Sequence, residues 1–242
     1  MSDEATAELA PTGVLRAGIN MGNFLLVTGR TPDGDPDGVS PDMARAIAAR
    51  LGVPLKLVPF DSPGELGDAV GTNAWDICLI GAEPQRAERI EFTAAYAEIE
   101  ATYLVSAGSN ITTIAEIDRH GVRIAVSERS AYGLWLDRNI KHATLVHPDN
   151  GESAFDRFVS HKLDALAGLR PGLIDDAQKL PGARVLGGQF ATVQQAVGTA
   201  KTNSAGAGFL SRFVEEAKAS GLVASLIAKH NVEGRLSVAP LG

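Results

Sequence analysis

The sequence has a single cysteine, Cys78, so it can form neither an intrachain disulfide nor a metal site built from several thiolates. It has no apolar run approaching the roughly 18 residues of a membrane-spanning helix. Basic residues are outnumbered by acidic ones, 22 against 29, for a net charge of -7. This balance disfavours binding to nucleic-acid phosphates or to anionic membranes.

The N-terminus also lacks the apolar segment of a secretory signal, since it reads Met1-Ser-Asp-Glu-Ala. We therefore expect that the protein is made without a signal or that the signal has been removed. The rest of the composition is typical of a globular protein. With 242 residues, of which 45% are hydrophobic, the chain can bury a substantial core in one or two domains.

Segments with strand and helix patterns alternate along the chain. Strands are predicted at 14–19, 55–58, 75–80, 122–126, 143–146 and 164–168. Between the first two strands, Ser40 is predicted to cap a helix that has Pro41 in its first turn and ends at Gly52. Strands separated by helices favour parallel sheets, and two successive sets of these units predict two α/β lobes.

Two β-rich segments, 100–106 and 193–199, interrupt this alternation. They predict a two-strand hinge, with lobe 1 formed by 1–102 and 196–242 and lobe 2 by 103–195. The helical region after residue 204, which Gly221 is expected to break, would return to lobe 1. A ligand is expected in the cleft between such lobes.

Few residues suggest catalysis. The sequence contains no phosphate-binding loop, G-x-G-x-x-G or G-x-S-x-G motif, and its histidines are dispersed. We therefore expect no catalytic residue, no metal and no cofactor. The informative segment runs from Gly81 to Tyr96, where a glycine at the end of a strand leads into a helix containing Arg86. Such a place can bind an anion, although a solvated, charged helix turn explains the same residues about equally well.

Several motifs in order resemble the type II periplasmic substrate-binding proteins, in particular the polar amino-acid family (solute-binding protein family 3) of ABC importers. They are Gly13-Val-Leu-Arg-Ala-Gly18, the helix segment from Gly38 to Gly52, Trp75-Asp76, the segment Arg86 to Tyr96, and Gly221 to Lys229. Each motif is weak by itself, but their order and spacing are specific.

The resemblance implies an α/β fold of two lobes, with mostly parallel sheets flanked by helices and a two-strand hinge. It also implies ligand-binding positions. Phe24 would cover the ligand, with Asn20 and Asn23 nearby. Arg86 would bind a carboxylate together with Ser130 at the start of a helix in lobe 2. The remaining positions expected to line the site are Gly81, Ala82, Glu83, Glu128, Arg129, Arg170 and Gln194.

The sequence also departs from the family pattern. The hydroxyl residues usual between the glycine and the arginine are missing from Gly81-Ala-Glu-Pro-Gln-Arg86. Leu169-Arg170 stands where the family has the aspartate that binds the ligand ammonium, and Arg129 replaces the usual glycine. These changes favour an anionic ligand bound by Arg86 with help from Arg129 or Arg170, although Arg170 is about as easily a rim residue. Glu83 or Glu128 would instead accept a cationic group and restore amino-acid binding.

The resemblance implies a monomeric, periplasmic protein that binds a small molecule without catalysis and delivers it to ABC-transporter membrane subunits. Two alternatives remain. Cyclohexadienyl dehydratases resemble the same family, and such an enzyme would need Glu83 or Glu128 as its acid. The second alternative is a cytosolic ligand sensor, which the lack of a secretory signal suggests.

Overall fold

The computed structural model describes residues 3–149 and 151–242. The chain forms two compact units, one containing the residues up to Glu98 together with Gln194–Gly242, and the other containing Ile99–Val193. The helices are α1 (Asp3–Leu9), α2 (Val39–Leu51), α3 (Pro63–Asp68), α4 (Pro84–Ala87), α5 (Ala131–Asn139), α6 (Ala154–Ser160), α7 (Arg170–Gln178), α8 (Ser204–Ala219) and α9 (Leu222–Lys229). The strands are β1 (Leu15–Asn20), β2 (Gly29–Arg30), β3 (Pro36–Asp37), β4 (Leu55–Phe60), β5 (Ile77–Gly81), β6 (Ile90–Phe92), β7 (Ala97–Val105), β8 (Arg123–Ala125), β9 (Thr144–Val146), β10 (Ala165–Leu169), β11 (Arg184–Val185), β12 (Ala191–Ala200) and β13 (Ser237–Val238).

The sheet of the first unit has the order β4-β1-β5-β12. Strand β1 runs parallel to both β4 and β5, and β12 runs antiparallel to β5. Helices α2 and α3 connect the three parallel strands, as the predicted crossover pattern requires. The carboxyl ends of β1 and β5 therefore lie at the same edge of the sheet.

Helix α2 begins earlier than its sequence indicates. We predicted Ser40 as the N-cap, but the N-cap is Gly38 and Ser40 lies inside the first turn. Ser40 is buried, and its hydroxyl is 2.8 Å from the Tyr96 hydroxyl. A tertiary partner thus takes the group that would have capped the helix. Gly52 ends the helix in the left-handed conformation, as predicted.

Strand β5 is buried along its whole length, so the core of the first unit covers both faces of the sheet there. Its members include Leu66, Trp75 and the fully buried Cys78. Helices α8 and α9 are separated by Gly221, which has a φ of 78° and so confirms the predicted break. Among the described residues, no helix is both long and apolar enough to cross a membrane.

The second unit has the sheet order β7-β10-β8-β9, with β11 paired to β7. Strands β8, β9 and β10 are parallel, and β7 is antiparallel to β10. Ser130, expected at the start of a helix, caps α5, because its Oγ accepts a hydrogen bond from the Gly133 amide at 3.0 Å. Thr113 and Glu116 form a capping box at a short 3-10 helix.

Strands β7 and β12 each begin in one unit and end in the other. These are the two extended segments that interrupted the alternation of strands and helices in the sequence. The lobe boundaries expected from the sequence, after residues 102 and 195, fall within the same two strands.

Candidate functional site

The sequence-predicted residues of the first unit gather at one edge of its sheet. Asn20 ends β1, Gly81 ends β5, and the neighbouring strand β12 pairs Gln195 with Gly81. The carboxyl edge of a parallel sheet is the usual place for a ligand in open α/β folds. The fold therefore brings Asn20, Asn23, Phe24, Gly81, Ala82, Glu83, Arg86 and Gln194 to the same edge.

Arg86 is the buried cation of this edge, with only 8% of its surface exposed. Its Nη1 donates a hydrogen bond to the Gly81 carbonyl at 2.7 Å, which ties the guanidinium to the end of β5. The helix expected after Gly81 is the four-residue α4, a single turn. Because so short a helix has little dipole, the positive charge of this segment comes mainly from the guanidinium itself.

The turn after β1 presents two amides and an aromatic ring. Asn20 and Asn23 are buried, and their Oδ1 atoms accept hydrogen bonds from the amides of Gly22 and Leu25 at 3.0 and 3.1 Å. These bonds leave the Nδ2 donors of both side chains for other acceptors. Phe24 stays 43% exposed, which is unusual for so large an apolar ring.

Arg235 covers part of that ring. Its guanidinium lies 5.4 Å from the centroid of Phe24, in cation–π geometry. Arg235 stands just before β13, so the C-terminal segment of the chain reaches the turn that follows β1.

Gln194 is anchored by a carboxylate. Its Nε2 donates to Glu98 Oε1 at 2.9 Å, and its carbonyl accepts from the Ala82 amide at 2.7 Å. The backbone of Ala82 is thereby fixed next to β12. Glu98 thus becomes a further acidic side chain linked to the predicted site residues.

The second unit has a comparable edge. The segment Glu128-Arg129-Ser130 follows β8, and Arg170 follows the adjacent parallel strand β10. Ser130 is buried, and its hydroxyl donates to the Ser127 carbonyl at 2.9 Å while accepting from the Gly133 amide. Glu128 is exposed, and Arg129 has a φ of 54°, the left-handed conformation that favours glycine.

The guanidinium of Arg170 is held within its own unit. Its Nε donates to the Glu100 carboxylate and its Nη2 to the Gly188 carbonyl. Its Nη1 donates to the Leu186 carbonyl at 3.3 Å. These partners support the rim interpretation of Arg170 over the direct ligand contact.

One cluster has donor atoms of the kind that bind metals, Asp37, Asp42 and His230, within 4.8 Å of one another. Its central carboxylate, that of Asp42, already bonds to Lys229 at 2.7 Å and to Arg45 at 2.8 Å. Two cations beside the carboxylate disfavour a divalent ion and fit a structural ion-pair network.

The sequence analysis did not identify Glu98, Glu100 or Arg235. A signal for the two glutamates was present, because two acidic residues spaced by two in a β-rich segment share one face of a strand. Nothing in the sequence pairs Arg235 with Phe24, since they are more than 200 residues apart.

Known proteins resemble this chain along most of its length. The sequence profile of the bacterial extracellular solute-binding proteins, family 3, matches residues 19–233. A cyclohexadienyl dehydratase from Pseudomonas aeruginosa is 30% identical over 160 residues, which cover 64% of this chain and 59% of that protein. The match thus spans less than two thirds of that relative.

Solved structures share the fold at low sequence identity. A mutant of ArgBP from T. maritima has a TM-score of 0.74 at 22% identity, covering 95% of this chain and all 100% of that one. A putative binding component of an ABC transporter from Wolinella succinogenes, complexed with lysine, has a TM-score of 0.74 at 23% identity, with 90% and 95% covered. The predicted type II periplasmic-binding-protein fold is confirmed. On the profile match over residues 19–233, the chain belongs to the bacterial extracellular solute-binding proteins, family 3.

Proposed function

We propose that this chain binds a small carboxylate-bearing metabolite, as the solute-binding component of an ABC transport system. The observation that carries this proposal is Arg86, a buried guanidinium at the ligand edge of the first unit, held in place by the Gly81 carbonyl. Family membership supports the role in solute binding.

The side chains around Arg86 fit recognition of a carboxylate. A guanidinium has five donors in a planar fork that matches the two carboxylate oxygens. The Nδ2 groups of Asn20 and Asn23 would add neutral donors, and the exposed ring of Phe24 would pack on the apolar part of the ligand.

The charge of the remainder of the ligand depends on which acidic residues reach it. An acid without an amino group would need only the guanidinium of Arg86. An amino acid would need a carboxylate partner for its ammonium, and Glu98 joins Glu83 and Glu128 as a candidate because it contacts Gln194. We favour an anionic ligand without an amino group, since the family's usual aspartate is absent after β10.

The experiment compares ligand classes by thermal shift and then measures affinity by calorimetry. At 100 times its Kd, a ligand adds about 2.7 kcal/mol of stability, which raises Tm by about 5–10 °C for a chain of this size. Amino acids are screened beside mono-, di- and keto-carboxylates. If only amino acids shift Tm, our assignment of an anionic ligand is wrong, and Glu98→Gln then tests the ammonium partner.

The variant Arg86→Met tests the carboxylate contact. Two charge-assisted hydrogen bonds contribute about 3 kcal/mol or more, so we expect Kd to rise about 100-fold. The matched control is Arg89→Met, because Arg89 is an exposed arginine on the same segment that donates to the Val70 carbonyl at 2.8 Å. Unchanged affinity in a folded Arg86→Met protein would refute the proposal.

A second candidate is a dehydratase, favoured by the 30% identity to the Pseudomonas aeruginosa enzyme. Conversion of a cyclohexadienyl carboxylate to an aromatic ring expels the ring hydroxyl as water and the ring carboxylate as CO2, whose C–C bond electrons complete the ring. The hydroxyl must be protonated by a general acid, and Glu83 or Glu128 is the candidate. Formation of an aromatic product, followed by its absorbance, would support this activity. If one of these glutamates is the general acid, the activity must fall in Glu83→Gln or in Glu128→Gln. Turnover that is unchanged in both variants would exclude both residues as the general acid.

A further inference from the structure

The second unit contains a groove that no part of the proposed function uses. Its volume is about 640 Å³, within the range of ligand pockets. We call it the Arg119–Lys162 groove. Its lining consists of Ser106, Ala107, Gly108, Ser109, Asn110, Ile111, Arg119, Val122, Phe158, Val159, Lys162, Leu163, Asp164 and Leu180.

The groove lies at the opposite edge of the sheet from the unit's proposed ligand residues. Val122 directly precedes β8 and Asp164 directly precedes the parallel strand β10, so both mark amino ends of strands. Ser130 and Arg170 follow the carboxyl ends of these strands. A molecule in the groove would therefore not touch the ligand residues of this unit.

The walls of the groove are fixed by arginines behind them. Arg184 Nη2 donates to the carbonyls of Ser109 and Ile111 at 2.9 and 3.1 Å, which holds the loop after β7. Arg123 Nη2 donates to the Lys162 carbonyl at 2.7 Å, which holds the turn after α6. The backbone that forms the groove is thus already held in place, so binding would cost little conformational entropy.

The groove combines an apolar base with free positive charge. Phe158 and Leu163 form part of the base, and Val159 is 42% exposed. The acidic member of the lining, Asp164, is paired with Arg123, whose Nε and backbone amide donate to Oδ2 at 3.3 and 2.8 Å.

The two cations of the lining keep unused donors. Arg119 donates through Nε to the Glu116 carbonyl at 2.7 Å, while its Nη atoms and Lys162 Nζ have no acceptor among the described residues. Two uncompensated positive charges border this groove, although the chain as a whole carries -7. The local charge therefore matches an anion.

We propose that the Arg119–Lys162 groove binds a small organic acid with an apolar body, such as an aryl-substituted carboxylate. The carboxylate would contact Arg119 and Lys162, and the body would pack on Val159 and the apolar base. This site is independent of the proposed solute site and does not require it.

Lys162 provides a variant that preserves the fold. Its φ is 47°, and its amide and that of Leu163 bond to the carbonyls of Val159 and Phe158 at the end of α6. Glycine is the usual residue at such a position because it adopts this conformation without strain. Lys162→Gly thus removes the cation without loss of thermal stability.

The test is a titration of the ¹⁵N-labelled full chain with 3-phenylpropionate, observed by NMR. We expect saturable shifts in the amides of 106–111 and of Lys162. The shifts should be smaller with 3-phenylpropanamide, which lacks the charge, and with acetate, which lacks the apolar body. The double variant Arg119→Gln with Lys162→Gly should bind at least tenfold more weakly, while Lys141→Gln, which removes an exposed cation elsewhere in the unit, should leave the affinity unchanged.

Three results would overturn the proposal. They are the absence of shifts at 106–111, equal shifts with the neutral amide or with acetate, and unchanged affinity in the double variant. Arg86→Met should leave these shifts as they are, so failure here remains distinguishable from failure of the proposed solute site.

Discussion

Substitution of Asp42 tests how the C-terminal helix is attached to the first unit. Asp42 lies in the first turn of α2 and is 7% exposed. Its Oδ2 is 2.7 Å from both Lys229 Nζ and His230 Nε2, and its Oδ1 is 2.8 Å from Arg45 Nη1. Asp42→Asn keeps the shape of the side chain and removes its charge.

The expected loss follows from the exposure of each partner. The side chains of Lys229 and Arg45 are 60% and 36% exposed, so each pair contributes about 0.5 kcal/mol. The side chain of His230 is 5% exposed, and its hydrogen bond to a buried charge contributes about 2 kcal/mol. We expect Asp42→Asn to lower the free energy of unfolding by about 3 kcal/mol, and Tm by about 6–12 °C.

The loss must also depend on pH. Burial by itself would raise the pKa of Asp42, but the hydrogen bonds from Lys229, His230 and Arg45 outweigh it and lower that pKa below its ordinary value of 3.8. A lowered carboxyl pKa contributes stability that is complete above the unfolded value and is lost as the pH falls through the folded value. The Tm difference between wild type and variant should thus be constant above pH 5 and shrink below about pH 4.

Differential scanning fluorimetry at pH 7, 5 and 3 measures this dependence. The control is Asp37→Asn, because Asp37 is 39% exposed at the side chain and lies 3.9 Å from Arg45. That change should alter stability by no more than about 0.5 kcal/mol. A Tm for Asp42→Asn within 2 °C of wild type at pH 7, or a difference at pH 3 as large as that at pH 7, would refute the reasoning. The 2 °C limit corresponds to roughly 0.5–1 kcal/mol.

Two further predictions concern packing. Gly208→Ala in α8 should stabilise the protein by about 0.5–1 kcal/mol, because the added Cβ meets only Arg212 Nη1 at 3.6 Å. Gly206→Ala should destabilise it, because the added Cβ would lie 2.7 Å from the buried side chain of Leu9. Urea midpoints measure both, and changes of the same sign would contradict the packing of α1 on α8. Cys78 should resist iodoacetamide at pH 8 in the native protein and react in urea, because burial raises the pKa of its thiol to about 12. Mass spectrometry measures the labelling. Rapid labelling of the native protein would contradict this prediction and show that β5 opens.

Local sequence signals predicted most of the backbone. Gly52 and Gly221 marked helix boundaries because glycine adopts a positive φ without strain, and both have one in the structure. Ser130 was recognised as a cap for α5 because the hydroxyl needs only an amide three residues away. Such features depend on neighbours in sequence, so a pattern is enough to predict them.

Ser40 shows where local reasoning fails. Its position before Pro41 is typical of an N-cap, yet its hydroxyl bonds to Tyr96, 56 residues away. A capping bond contributes about 1 kcal/mol, and a buried hydroxyl pair offers a comparable gain while satisfying two polar groups at once. Only the tertiary fold decides between the two.

The same limit applies with more consequence to the candidate site. The order of motifs predicted Arg86 after the strand that ends at Gly81, Gln194 in the returning extended segment and Arg170 after the last strand of lobe 2, and the structure has them at these places. Their partners could not be predicted, because the Glu98 that binds Gln194 and the Glu100 that binds Arg170 come from a strand distant in sequence. The guanidinium of Arg170 already bonds to a carboxylate and two carbonyls, so few of its donors are left for a ligand. A count of arginines in the sequence therefore overstates the positive charge that a ligand would meet. The carboxylate contact proposed for Arg86 therefore rests on its buried place after β5, where its guanidinium bonds to the Gly81 carbonyl, and not on the number of basic residues in the chain.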